Sequence, residues 1–172
     1  MKSKPEVTLR LRNATPRDVP AFYRMHADPE ANRRGSLIPR KKAAFFAHWK
    51  KVLKNRLNVK QTIVYKGRVA GYLVSFTRTG TGKKPLREVG YWIARKYWGL
   101  GLATEGLRQL LQERKKRPLY ARVAKKNPGS LRVAQKCGFK IVKEDEYQNE
   151  AGVRVEEYLL KLSRRAEARK KK

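Results

Sequence analysis

Between Val89 and Arg114 the chain runs from an apolar stretch through a two-glycine turn into an amphipathic one, and few architectures accommodate that order. The run Val89-Gly90-Tyr91-Trp92-Ile93-Ala94, rich in aromatic and β-branched residues, predicts a buried strand. Lys96-x-x-Gly99-x-Gly101 predicts a turn, and Leu102 to Arg114 a helix with Leu107, Leu110 and Leu111 on one face. Strand, glycine turn and helix together make an anion site. Glycine lets backbone N–H groups approach a phosphate without a Cβ in the way, and the helix N-terminus adds partial positive charge. The spacing is not that of a P-loop, which ends in GK[ST], nor of the dinucleotide fingerprint, which needs a third glycine.

Two further motifs follow in order, Asn127-Pro128-Gly129-Ser130 and Lys136-Cys137-Gly138-Phe139. With the glycine turn they resemble the GCN5-related N-acetyltransferase (GNAT) superfamily, in which Gln or Arg, two residues, Gly, one residue, then Gly or Ala opens a helix under coenzyme A. Lys96 stands where that family has Gln or Arg. The wording Tyr97-Trp98-Gly99-Leu100-Gly101-Leu102-Ala103-Thr104-Glu105 is especially similar to the branch that acetylates ribosomal-protein N-termini. The resemblance extends more weakly from Leu9 to Leu162. It implies a mixed α/β (α+β) fold, in which a mostly antiparallel mixed sheet splays at the cofactor site and carries helices on both faces. It also implies acetyl-coenzyme A as co-substrate without a metal, and direct attack by a primary amine, whether of a small molecule or a protein N-terminus.

The resemblance assigns cofactor contacts to Ile93, Ala94, Lys96, Gly99, Leu100, Gly101, Leu102, Ala103, Thr104 and Asn127. It points to a backbone N–H near Ile93 or Ala94 as oxyanion donor, provided that a bulge splays the strand. An amine with a pKa of about 10.4 must lose a proton before it attacks. Glu146 matches the position of the base, and Glu144 and Asp145 beside it favour a cationic acceptor; Glu88 is the alternative. Ser130 is expected to protonate or hydrogen-bond the departing thiolate. Each assignment has a plainer counterpart: a solvated hairpin face for Glu146, a strand-edge charge for Glu88, and a helix cap for Ser130. For Asn127 it is a residue before a proline turn. Cys137 lacks a partner base and reads as a packed small residue, and Trp92, Tyr97 and Trp98 read as core.

Composition narrows the field. At 172 residues the chain suits one domain (1–162) followed by a basic tail (163–172). A single cysteine, with only His26 and His48 besides, argues against a disulfide or zinc site. No apolar run approaches the roughly 20 residues of a membrane span and no signal peptide opens the chain, so a cytoplasmic protein is expected. The charge is extreme: 44 Lys+Arg against 14 Asp+Glu leave +30, enough to bind nucleic acid or any polyanion non-specifically. Basic pairs such as Lys41-Lys42, Lys50-Lys51, Lys83-Lys84, Lys115-Lys116 and Lys125-Lys126 are scattered over many segments without disturbing the apolar pattern. That distribution suggests a highly basic, supercharged surface rather than a nucleic-acid-reading face. The alternative to an enzyme is a non-enzymatic polyanion binder on the same fold.

Elsewhere Val7–Arg12 predicts a strand and Thr15-Pro16-Arg17-Asp18 a helix start, with the helix running to about Met25. Residues 28–39 read as irregular, and the family resemblance makes them a wall of the acceptor pocket. A helix is expected over Lys41–Leu53 and a hairpin at Lys66-Gly67. Thr79–Pro85 reads as a loop, Pro118–Ala124 as a strand and Ser130–Cys137 as a helix, before a closing hairpin around Glu150-Ala151-Gly152.

Overall fold

The computed structural model describes residues 8–80 and 83–163. In chain order they form β1 (Arg10–Asn13), a 3-10 turn, α1 (Val19–His26), α2 (Pro29–Gly35), α3 (Lys42–Lys54), β2 (Val59–Tyr65), β3 (Arg68–Gly80) and β4 (Lys83–Ile93). A second 3-10 turn (Arg95–Tyr97) leads to α4 (Leu102–Glu113), β5 (Leu119–Ala124), α5 (Pro128–Lys136), β6 (Lys140–Gln148) and β7 (Arg154–Leu162). The seven described strands make one sheet in the order β1-β2-β3-β4-β5-β7-β6, antiparallel except between β4 and β5. This is the mixed, mostly antiparallel sheet that the family resemblance implies.

Strand alternation divides the interior in two. On one face Ile63, Leu73, Val89, Ala121 and Leu160 pack under Leu102, Leu107 and Leu110 of α4 and Ala134 of α5. Gly106 lets α4 settle on the sheet, since a Cβ there would stand 3.3 Å from Leu73 and 3.4 Å from Ile63. On the other face Tyr72 of β3 meets Phe22 of α1 and Trp49 of α3, with ring centroids 4.8 and 4.9 Å away. α1 is held by its start. Thr15 N–H donates to Asp18 (2.8 Å), which also pairs with Arg12 (2.6 Å) and accepts from the Thr62 hydroxyl (3.0 Å). Burial alone would raise the Asp18 pKa, but these donors outweigh it and hold it down at about 2.

Three expectations need correction. Residues 28–39 are not all irregular, because α2 occupies 29–35. Asp28 caps it by accepting from Glu30 and Ala31 N–H, Pro29 sits in its first turn, and Glu30 pairs with Arg33 and Arg34. Thr79–Pro85 is mostly strand rather than loop: β3 runs to Gly80 and β4 begins at Lys83, while Thr81 and Gly82 lie outside the described residues. The first strand begins at Arg10, and Val7 is not among the described residues. Lys41, Lys42, Lys50, Lys51, Lys84, Lys115, Lys116 and Lys126 are exposed, and Lys125 pairs with Glu144 and Glu156. Of the tail, residues 164–172 fall outside the description. No helix among the described residues is long and apolar enough to cross a membrane.

Candidate active site

β4 and β5 are paired at a single position, Glu88 opposite Tyr120, and diverge beyond it. The opening lies between the C-terminal halves of two parallel strands, whose following helices α4 and α5 both start at its mouth. The divergence needs no bulge against β3, because that ladder runs unbroken from Arg78–Leu86 to Gly71–Ile93. Ala94 N–H donates to Ala70 O at 2.9 Å and is therefore not available as an oxyanion donor, a correction to the expected pair. In an antiparallel ladder alternate residues point away from the partner. Ile93 and Tyr91 consequently turn their backbone N–H groups toward the opening.

The glycine turn leads from β4 into α4. Gly99 and Gly101 have φ of +78° and +81°, a region costly for residues with a Cβ. Gly101 caps α4 without a side chain, and the first helical bond is from Glu105 N–H to Gly101 O. The N–H groups of Leu102, Ala103 and Thr104 are thus left for an external acceptor at the positive end of the helix. Leu100 is exposed beside them. The Lys96 ammonium lies 4.9 Å over the Tyr97 ring, and the Trp98 indole donates to Ile93 O (2.8 Å), which braces the loop on the strand.

Across the opening Asn127 Oδ1 accepts from Ser130 N–H (3.0 Å) and caps α5, so only its Nδ2 could serve a ligand. Ser130 does not cap. Its hydroxyl donates to the Tyr91 hydroxyl (2.9 Å), which in turn donates to Ser130 O (2.8 Å). Burial raises the Tyr91 pKa and keeps the phenol protonated. The sequence reading gave Tyr91 no role beyond membership of a buried strand, although a phenol inside an apolar strand is itself a signal that its tip has a partner. Cys137 is packed, with Sγ 3.6 Å from Thr104 O, and burial pushes its thiol up to about 11.

The two carboxylates expected as bases lie apart. Glu88, 2% exposed, sits at the root of the opening on the α1 face, its oxygens accepting from Arg78 (2.9 Å) and Arg122 (3.0 Å). Arg122 continues to Glu157 (2.7 Å). Glu88 is therefore not a strand-edge charge but the buried member of a partly exposed ionic ladder. Glu146 is exposed on β6, the outermost strand, where it pairs with Arg154 and lies opposite Glu156. Two strands, β5 and β7, separate it from β4, so it is not gathered with Glu88 and Ser130.

α2 is latched to the segment that leads into the glycine turn. Asp28 pairs with Arg95 (2.8 Å), and the Arg34 guanidinium stacks 4.9 Å over Trp98. Beneath it His26 stacks on Trp92 at 3.9 Å and shares a 2.6 Å hydrogen bond with the Tyr72 hydroxyl. Burial lowers the His26 pKa to about 4, so the ring is neutral at pH 7. Ser36, at the end of α2, lines a cavity of about 240 Å³ with Lys125, Val155 and Glu156. Among the described residues no cluster of three His, Cys, Asp or Glu is placed to hold a metal.

This geometry has relatives. The pattern of the acetyltransferase (GNAT) domain matches residues 8–140. No curated protein matches the sequence. Among solved structures, the ribosomal L7/L12 alpha-N-protein acetyltransferase RimL in complex with coenzyme A is similar at TM-score 0.74 and 20% identity, covering 92% of this chain and 96% of that one. The microcin C7 self-immunity acetyltransferase MccE, solved with acetyl-CoA and AMP, gives 0.73 and 17% over 90% and 92% of the two chains. An N-acetyltransferase from Staphylococcus aureus Mu50 gives 0.74 and 18% over 91% and 98%. At these identities the structures speak for the fold, while the domain match spans most of the chain: it belongs to the GNAT family of acetyltransferases.

Proposed function

We propose that this protein transfers the acetyl group of acetyl-coenzyme A to a primary amine, of a small molecule or a protein N-terminus, by direct attack in a ternary complex. The observation that carries this is the β4–β5 opening with a two-glycine helix start at its mouth. The N–H groups of residues 102–104 suit the pyrophosphate, and Asn127 Nδ2 the pantetheine arm. The N–H of Ile93 or Tyr91 suits the carbonyl oxygen as it gains charge. Attack forms the C–N bond, breaks the C–S bond and leaves the electron pair on sulfur, with Ser130 as the hydrogen-bond donor.

The amine's proton goes to a carboxylate, directly or through a water. Position supports Glu88, because it stands where the strands part. With each oxygen accepting from one guanidinium, it keeps lone pairs for a water or amine. Resemblance supports Glu146, whose exposure lets it exchange protons with solvent. Comparing Glu88→Gln with Glu146→Gln separates them: the base is the one whose loss removes the acidic limb of the pH–rate profile.

The reading is tested by titrating acetyl-coenzyme A in high salt and screening amines and peptides for a gain of one acetyl group by mass spectrometry. Saturable one-to-one binding with acetylation of at least one class is expected. Coenzyme A bound no tighter than other polyphosphates would sink the proposal. A second reading rests on the +30 charge and the lysines exposed along helices and loops of both faces, a supercharged surface that binds nucleic acid or other polyanions. Such binding should fall steeply and uniformly with salt.

A further inference from the structure

Ser130 and Tyr91 stand on opposite sides of the β4–β5 opening, one in the first turn of α5 and the other on β4. A hydroxyl has a single proton. That of Ser130 is directed at the Tyr91 oxygen, and that of Tyr91 at Ser130 O, so neither now points toward a sulfur in the cleft. Rotation of the two O–H bonds alone changes this. If Tyr91 turns its proton from Ser130 O to Ser130 Oγ, the serine proton is released toward the cleft. The carbonyl that Tyr91 abandons lies in the first turn of α5, where the N–H four residues on accepts the role of its partner. No heavy atom has to move far, and no buried group is stranded.

We infer that Tyr91 is a positioning residue of the transfer step, acting through Ser130 on the leaving thiolate. In the chain Tyr91 O–H to Ser130 O–H to sulfur, each hydrogen bond polarises the next. Neither hydroxyl gives up its proton. A thiol of pKa about 8.5 leaves as its anion, and the chain stabilises the electron pair that the broken C–S bond places on sulfur. The amine's proton departs separately, to the carboxylate or water already described. Burial of Tyr91 suits this role, because a phenol that stays protonated is always available as donor.

The inference rests on the proposed acetyl transfer and is tested by a double-mutant cycle with Tyr91→Phe and Ser130→Ala in the full chain. Tyr91→Phe keeps the ring and its packing and removes only the hydroxyl. It should lower kcat about tenfold, with the KM for acetyl-coenzyme A unchanged, the scale of one lost hydrogen bond. The double variant should be no slower than Ser130→Ala, since the two act as a unit. An unchanged kcat in Tyr91→Phe, a loss confined to KM, or a double variant slowed by the product of the two single losses would each overturn it while leaving acetyl transfer standing. A wild-type protein that binds acetyl-coenzyme A but acetylates no amine would overturn the transfer reading, and this inference with it.

Discussion

The side of the opening proposed for the cofactor and the side proposed for the acceptor are built in different ways. The first is contiguous: β4, the glycine turn and the start of α4 occupy residues 83–104 and work through backbone N–H groups. The second is assembled from α1, α2, β3, β5, β6 and β7, and works through side chains that meet only after folding. In the Arg78–Glu88–Arg122–Glu157 ladder, members on four strands share one network. A backbone device survives substitution of most of its side chains. A side-chain network fails with the loss of one member.

The sharpest way to break that contrast is to remove one charge from the ladder. Glu88→Ala leaves Arg78 without its carboxylate and Arg122 with Glu157 and Asp145 alone, and we expect a loss of about 3 kcal/mol, the scale for breaking a buried pair, tempered by the exposure of Arg78. Urea denaturation measures it. A loss below about 0.5 kcal/mol, typical of a surface pair, would mean that the ladder is a solvated surface feature.

On the cofactor side Gly101→Val puts a β-branched residue at φ +81° and should weaken acetyl-coenzyme A binding about 100-fold through strain and lost N–H contacts. Calorimetric titration reads this, and the acceptor face should keep its stability. Lys96→Ala, by contrast, should cost only about threefold, the size of one exposed charge contact. A larger effect for Lys96 than for Gly101 would reverse the backbone argument.

Acid probes the α1 face. The His26 pKa is lowered to about 4 from 6.5, so the unfolded chain takes up this proton first and stability falls as pH drops from 6.5 toward 4. Asp18 is also depressed, to about 2 from 3.8; its contribution is complete above 3.8 and lost as pH falls toward 2. By linkage the His26 step is worth about 3 kcal/mol and the Asp18 step about 2 kcal/mol. Denaturation curves at pH 7, 5 and 3 should show two successive losses, with the first absent in His26→Phe and the second in Asp18→Asn. A modest effect is expected of Asp28→Ala, about 1 kcal/mol for a lost helix cap, with a raised acceptor KM because α2 is freed from Arg95. An acceptor KM that stays put would uncouple α2 from the acceptor side.

Much of this was legible beforehand. The glycine turn, α3, the hairpin at Lys66-Gly67 and α5, though not its start at Pro128, were readable because each rests on local spacing or conformation. α2 went unread although Asp28-Pro29-Glu30 is a helix-start signal; seven residues are too few to show an apolar period. The distal part of the β3–β4 hairpin, within Thr79–Pro85, was mistaken for a loop because glycines, threonines and lysines obscured strand ends that are held by pairing across the ladder. Ser130 was picked out by motif, but its partner Tyr91, 39 residues away, was not.

From the sequence alone came the family's motifs, most of the succession of elements and a turn whose φ angles demand glycine, all set by interactions between near neighbours along the chain. Only the tertiary structure decided which groups face the opening: Ile93 and Tyr91 N–H rather than Ala94, Ser130 turned to Tyr91, Glu88 held by two arginines, and Glu146 two strands beyond β5. The reason is physical. Strand order and register govern which side chains meet, and they are determined by burial on both faces of the whole sheet at once, a condition that no short stretch of residues carries by itself.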